Sequence, residues 1–262
     1  MKSRGSRVDR LALLLALVSF LAGCATKGPD PLERWNRPIF SFNEGADRYV
    51  LEPIAKGWRW ALPGVVRTGI RNFYDNITMP VTLVNDVLQL KPRAAAEDVG
   101  RIVVNTTAGI AGLLDVASMI EIPANREDFG QTLGRYGVPP GAYLMLPLLG
   151  PSTVRDVWRY PADAAVTPHN YFLPFWGSLT IRVADNFNIR SYYLEELREA
   201  RESAFDYYVF VRSAYLQIRE HAVQDRGGQP QELQDELYEI EYEDTDGQTQ
   251  ESRDDLYELE GD

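Results

Sequence analysis

The side chains able to do chemistry are few in this chain of 262 residues, and their spacings build no familiar reaction centre. His169 and His221 stand far apart, without the carboxylate or thiol neighbours that would make a metal site. Ser152 in LGPSTVRD and Ser178 in FWGSL lack the G-x-S-x-G turn that exposes a serine nucleophile, and two histidines leave little choice of general base. Gly109 and Gly112, or Gly134, Gly137 and Gly141, have the wrong spacing for a phosphate-cradling loop and read as turns or close helix contacts. These patterns predict no catalytic residue, no cofactor and no metal, and therefore not an enzyme.

One reactive group remains, the thiol of Cys24, the sole cysteine. It follows a basic start (Lys2, Arg4, Arg7 and Arg10) and a short apolar run over residues 11–22. That run is too short to span a bilayer, which takes about 20 residues, and it reads as a secretory signal. LAGC, residues 21–24, matches a bacterial lipobox, in which the cysteine is lipidated on sulfur, the chain is cut before it and the new amine is acylated. A lone cysteine makes no internal disulfide, and beside a cleavage site it has no core to bury it or to lower its pKa. The thiol is read as a lipid attachment point, and two or more acyl chains hold a protein on a membrane. Ala25, where aspartate does not occur, resembles the pattern of sorting to the outer membrane. The lipobox also argues against glycosylation at the Asn-x-Thr sites of Asn76 and Asn105.

The expected organisation is a signal peptide over 1–23, a folded body over 24–225 and an acidic tail over 226–262. From Glu232 to Asp262 there are fourteen acids and one base, whereas the mature chain before that stretch is nearly neutral. Nucleic-acid binding needs the reverse, a basic stripe, and is excluded. The tail carries too much like charge and too little apolar mass to fold alone.

In the body the periodic signals are helical and few stretches alternate like strands. Ala95, Val99, Ile102, Val103 and Thr106 fall on one helical face, and Val81, Val84 and Leu88 on another after Pro80, which suits a first helical turn. Residues 192–221 keep a three-four spacing that predicts one helix about 45 Å long. Three apolar segments, 108–120, 138–149 and 171–179, are too short to cross a bilayer. Each is either buried core or, in a tethered chain, an element lying in one leaflet. The aromatics Trp158, Tyr160, Tyr171, Phe172, Phe175 and Trp176 suit the membrane interface, or else an aromatic core.

The segments DPLERWNRPIFSFNEGADRYVLEPIAKGW, VNTTAGIAGLLDVA and DFGQTLGRYGVPPGAYLMLPLLGPSTVRD resemble the MlaA (VacJ) family of outer-membrane lipoproteins. The family pattern is D-P-L-E-x-x-N-R-x-x-F-x-F-N, then G-x-T-L-x-x-Y-G-V, then L-P-x-x-G-x-x-x-x-R-D, and the likeness runs from Asp30 to about His221. It implies an all-α, ring-like single domain of amphipathic and short interfacial helices lying in the inner leaflet, with an amphipathic channel and a disordered acidic tail. It implies removal of phospholipids misplaced in the outer leaflet of the outer membrane and their transfer to a soluble periplasmic lipid carrier of the MlaC type, with trimeric porins as partners. Phe40, Phe42, Asn43 and Asp47 fall in or beside the F-x-F-N stretch, which the family links to channel opening; they form the gate or else cap and staple the first helix. Glu44 and Gly45 depart from the family's usual aromatic and polar pair there. Arg155 and Asp156 line the channel or form a structural ion pair. A tethered adaptor for porins and a lipolytic enzyme are the competing functions.

Overall fold

The computed structural model describes residues 30–224, so the signal 1–23, the anchor Cys24 and the tail 226–262 lie outside the described residues. Two compact units are present, one ending at Tyr215 and one beginning at Leu216. Of the second, only the end of the last helix is described.

The Asp30 carboxylate accepts from the Leu32 amide at 2.9 Å and so starts helix α1, Glu33–Ala46. A single π turn, Asp47–Leu51, carries α1 into α2, Glu52–Ala61. Pro63 then opens α3, Gly64–Leu88, the longest element, and α4, Pro92–Thr107, packs against it. Both α2 and α4 have proline in the first turn, where the missing N–H costs nothing. Asp115 caps the single turn of α5, Val116–Met119, and a capping box between Asp128 and Gln131 starts α6, Phe129–Arg135.

Strands β1, Tyr143–Leu146, and β2, Gly150–Thr153, pair antiparallel with Leu146 opposite Gly150. A 3-10 turn, Asp156–Trp158, leads to α7, Arg159–Val166, α8, His169–Phe172, and α9, Phe175–Tyr192. Two helices finish the described chain, α10, Leu194–Ser203, and α11, Tyr207–Val223. The fold is all-α with one small hairpin, and α3 is its hub, touching α4, α6, α7 and α9.

Several sequence expectations are corrected here. Pro80 does not begin a helix but lies inside α3, which absorbs the lost rung because four other helices pack along it. The single helix expected over 192–221 is two: Ala204 is extended, and Asp206 starts a new helix by accepting from the Val209 amide at 3.2 Å. Residues 108–120 turn sharply through Ile110, Ala111 and Gly112, all at positive φ, before the short α5. Gly112 is required there, since a Cβ would sit 2.5 Å from the Asn76 side chain. Residues 138–149 form most of the hairpin rather than a helix, as their prolines demand.

The largest correction concerns which faces are inside. On α4 the buried residues are Ala95, Asp98, Arg101 and Asn105, while Val99 and Val103 are exposed. On α3 Asn76, Asn85 and Asp86 are buried, while Val87 and Leu88 are exposed. The apolar stripes are split, with Ala95 buried, Val81, Val84 and Ile102 half-buried, and Leu88, Val99 and Val103 exposed.

Candidate functional site

A chain that buries polar groups must satisfy them internally, and here networks between helices satisfy many of them, while others, such as His169 Nδ1 and Arg67 Nε, stay without a hydrogen-bond partner among the described residues. The largest fully buried side chains are all polar, among them Asn188, Thr153, Asp86, Asp98 and Asp156. Asn188 joins three helices: it accepts from Trp58 Nε1 at 3.1 Å on α2 and donates to the Arg67 carbonyl at 2.9 Å on α3. The outside is the reverse. Trp60 is 88% exposed, Phe172 85%, Phe175 71% and Trp176 73%, so the aromatic run around Pro174 is not a core. Residues Ile110, Met119 and Ile120 of the expected apolar helix are exposed as well. Contiguous exposed apolar surface of this kind marks contact with a membrane or a partner.

Among the described residues, α3, α4, α7, α9 and the segment 115–128 line a half-open cavity of about 540 Å³. Five arginines and five acids line it. Arg71 bonds Asp185 at 3.1 Å and Asp75 at 2.9 Å, and Arg126 meets the other Asp75 oxygen at 2.9 Å. Arg101 grips Asp115 with two bonds of 2.9 Å, Lys91 holds Glu127 at 2.8 Å, and Arg159 lies 3.6 Å from Asp128. Asp163 accepts from the Phe129 amide and from Asn85; burial first, and then the Asp128 charge, push its carboxyl up to about 6. Arg182 donates to Asn170 Oδ1 at 3.2 Å and towards His169 Nε2 at 3.5 Å. A wall balanced in charge, with an apolar exterior, suits a polar headgroup more than an acyl chain.

The residues singled out in the sequence lie elsewhere. Phe40 packs edge-on against Tyr207 and Tyr208, and Phe42 is exposed. Asn43 binds the hairpin turn twice, donating to the Leu146 carbonyl at 2.9 Å and accepting from the Leu148 amide at 2.8 Å. The π turn aims Asp47 at Arg190 (2.8 and 3.0 Å) and Arg201 (2.9 Å). Burial pushes the Asp47 carboxyl up, but those arginines outweigh it and hold it below the usual range. Arg155 Nε meets Asp156 at 2.8 Å in a buried pair, and Tyr215 donates to the same carboxylate. None of these six lines the cavity. Ser178 donates to the backbone carbonyl of His169 rather than to its ring, and Ser152 to that of Thr153.

Residues 28–222 match the MlaA lipoprotein family, about the whole of the described chain. The chain belongs to that family. An Escherichia coli relative named intermembrane phospholipid transport system lipoprotein MlaA is 34% identical over 250 residues, covering 89% of this chain and 99% of the relative. The Haemophilus influenzae protein of the same name is 34% identical over 233 residues, covering 81% of this chain and 90% of its own. A solved structure from work on the structural basis for maintenance of bacterial outer membrane lipid asymmetry superposes with a TM-score of 0.66 at 35% identity. It covers 75% of this chain and 100% of that one.

The MlaA motifs that are legible in the sequence prove to be framework. Asp30 and Asn36 of the first motif bond each other, and Asn36 pins both sides of β1 through the Tyr143 carbonyl and the Met145 amide. Thr132 and Tyr136 of the second fasten α6 to the end of α3, through Asn85 and the Leu88 carbonyl. The lining residues Arg71, Asn76, Asp163 and Arg182 were missed from sequence. Their only signal was polar residues recurring on the inner faces of α3 and α9, where a soluble core would be apolar.

Proposed function

We propose that this protein is a lipid-anchored conduit for phospholipid. It takes misplaced phospholipid from the outer leaflet of the outer membrane and passes it to a soluble periplasmic carrier, which maintains lipid asymmetry. The observation that carries this reading is the charge-balanced, half-open cavity in a unit that leaves many large apolar side chains exposed. Such a unit is stable with its exterior in acyl chains, because burial of each large apolar side chain there gains about 1.5–3 kcal/mol. Among the described residues no helix is long and apolar enough to cross a membrane, which agrees with elements that lie in one leaflet on the periplasmic face. Cys24 supplies the acyl anchor, trimeric porins are the protein neighbours, and Phe40, Phe42, Asn43 and Asp47 form the gate region, with Asn43 joining α1 to the hairpin. Movement of intact lipid down a packing gradient needs no nucleotide and no bond breaking.

Two measurements test this. Replacement of Cys24→Ser should abolish fatty-acid labelling of the protein, and labelling that persists would refute the anchor. Purified acylated protein in outer-membrane-like vesicles should deliver intact phospholipid to a soluble carrier without release of fatty acid. Folded, anchored protein that transfers nothing would leave a tethered adaptor for porins, and fatty acid in place of lipid would make it an enzyme.

A further inference from the structure

Every charged side chain of the cavity wall except two is held by an opposite charge of the protein itself. The exceptions are Asp163 on α7 and Arg182 on α9, whose hydrogen-bond partners among the described residues are all neutral; the Arg159 guanidinium acts on Asp163 only from beyond bonding distance. Asn170 ties their surroundings together, accepting from Arg182 and donating to the carbonyl of Ala164, the neighbour of Asp163, at 2.7 Å. A half-buried charge without a counterion costs free energy, and two of opposite sign on one wall suit a ligand that carries both.

We infer that Asp163 and Arg182 form a subsite that reads zwitterionic phospholipid headgroups, Arg182 taking the phosphate and Asp163 the ammonium. The inference rests on the reading of the cavity as the lipid path. A phosphoethanolamine group brings one anion and one N–H-bearing cation and leaves neither wall charge unpaired. A phosphoglycerol group satisfies Arg182 alone and sets its own negative charge near Asp163, which Arg159 offsets only in part. With its carboxyl raised to about 6, Asp163 is ionised at pH 7.5 and exerts that discrimination there.

The test uses full-length acylated protein in vesicles of equal phosphatidylethanolamine and phosphatidylglycerol, with a cyclodextrin acceptor, and counts both intact lipids by mass spectrometry at pH 7.5. Phosphatidylethanolamine should transfer about tenfold faster, the worth of one charge-assisted hydrogen bond. Asp163→Asn should bring the ratio near one, chiefly by speeding phosphatidylglycerol. Arg182→Gln should slow both lipids, and Arg182→Lys should restore part of the rate. Equal transfer of both lipids by the unaltered protein, or a preference untouched by Asp163→Asn, would overturn the subsite while leaving the conduit standing. If the folded protein transferred neither lipid, the conduit and the subsite would both fall. The wild-type ratio needs no variant, so the inference stays decidable even if Asp163→Asn fails to fold.

Discussion

Asn43 is worth more to the fold than its place on a helix suggests. Leu148, which it binds, sits at φ 61°, a conformation that costs a non-glycine residue about 1–3 kcal/mol. The Asn43 amide bonds the backbone on either side of Pro147, including the Leu148 amide itself, so Asn43→Ala should lower stability by about 1–3 kcal/mol and speed amide exchange around the hairpin turn. An unchanged urea midpoint would refute that role. A second residue-scale effect lies in Asp86 and Asp98, both essentially fully buried, with Asn125 donating to Asp86 at 2.8 Å. Burial first, and then the adjoining Asp86 carboxyl, push Asp98 up to about 7. The native state keeps a proton there that the unfolded chain releases near pH 4, so it binds more protons in between and stability falls as pH rises through that window. Asp98→Asn should flatten the fall and leave the variant more stable than wild type at pH 8 by about 1–3 kcal/mol. Parallel melting profiles from pH 5 to 8 would contradict the assignment. The sequence supplied the two aspartates, but nothing in their spacing told that they meet across α3 and α4.

At the scale of elements, periodicity located the end of α3, α4, α10 and α11 but left open which faces lie inside: Ala95, Leu194 and Tyr208 are buried, whereas Leu88, Val99 and Val103 are exposed. A 3.6-residue repeat identifies a stripe and says nothing about what the stripe meets; in water it meets a core, and here it is split between inside and outside. Breaks were harder to read than helices. Residues 192–221 keep apolar spacing through Ala204, so only the local preference of Asp206 for a helix start marks the end of one helix and the start of the next. Asp206 also forks onto Arg37 at 2.6 and 3.2 Å, fixing α11 against α1. Asp206→Ala should therefore cost about 1–2 kcal/mol, mostly as the lost cap, because the ion pair is partly solvent-exposed and contributes little. A variant as stable as wild type would favour a continuous helix after all. The hairpin was invisible because its strands are four residues each and lie in a proline-rich run.

Across the whole molecule the distribution of polarity decides what the protein can do. The compact unit ending at Tyr215 buries many charged side chains and exposes many aromatic ones, and the proposed conduit would set that exterior in hydrocarbon and headgroups in the cavity. Phe172→Ser and Trp176→Ser should each weaken partition of the unacylated protein into vesicles by about tenfold, the equivalent of about 1.4 kcal/mol of lost apolar burial. They should leave the unfolding midpoint in detergent unchanged, since neither residue is packed inside. A loss of stability without loss of partition would place them in a core. The family motifs made the fold and its lipid trade legible, because they build the frame; the cavity wall was not legible, because its charges come from five separated elements. Photo-cross-linking distinguishes this inside-out arrangement from an ordinary one. A photoactivatable residue at Ala164 in the cavity should capture phospholipid tagged on the headgroup, while one at Trp176 should capture lipid tagged at the acyl end. Acyl-tagged lipid at Ala164, or no headgroup capture there by folded protein, would contradict passage of phospholipid through the cavity.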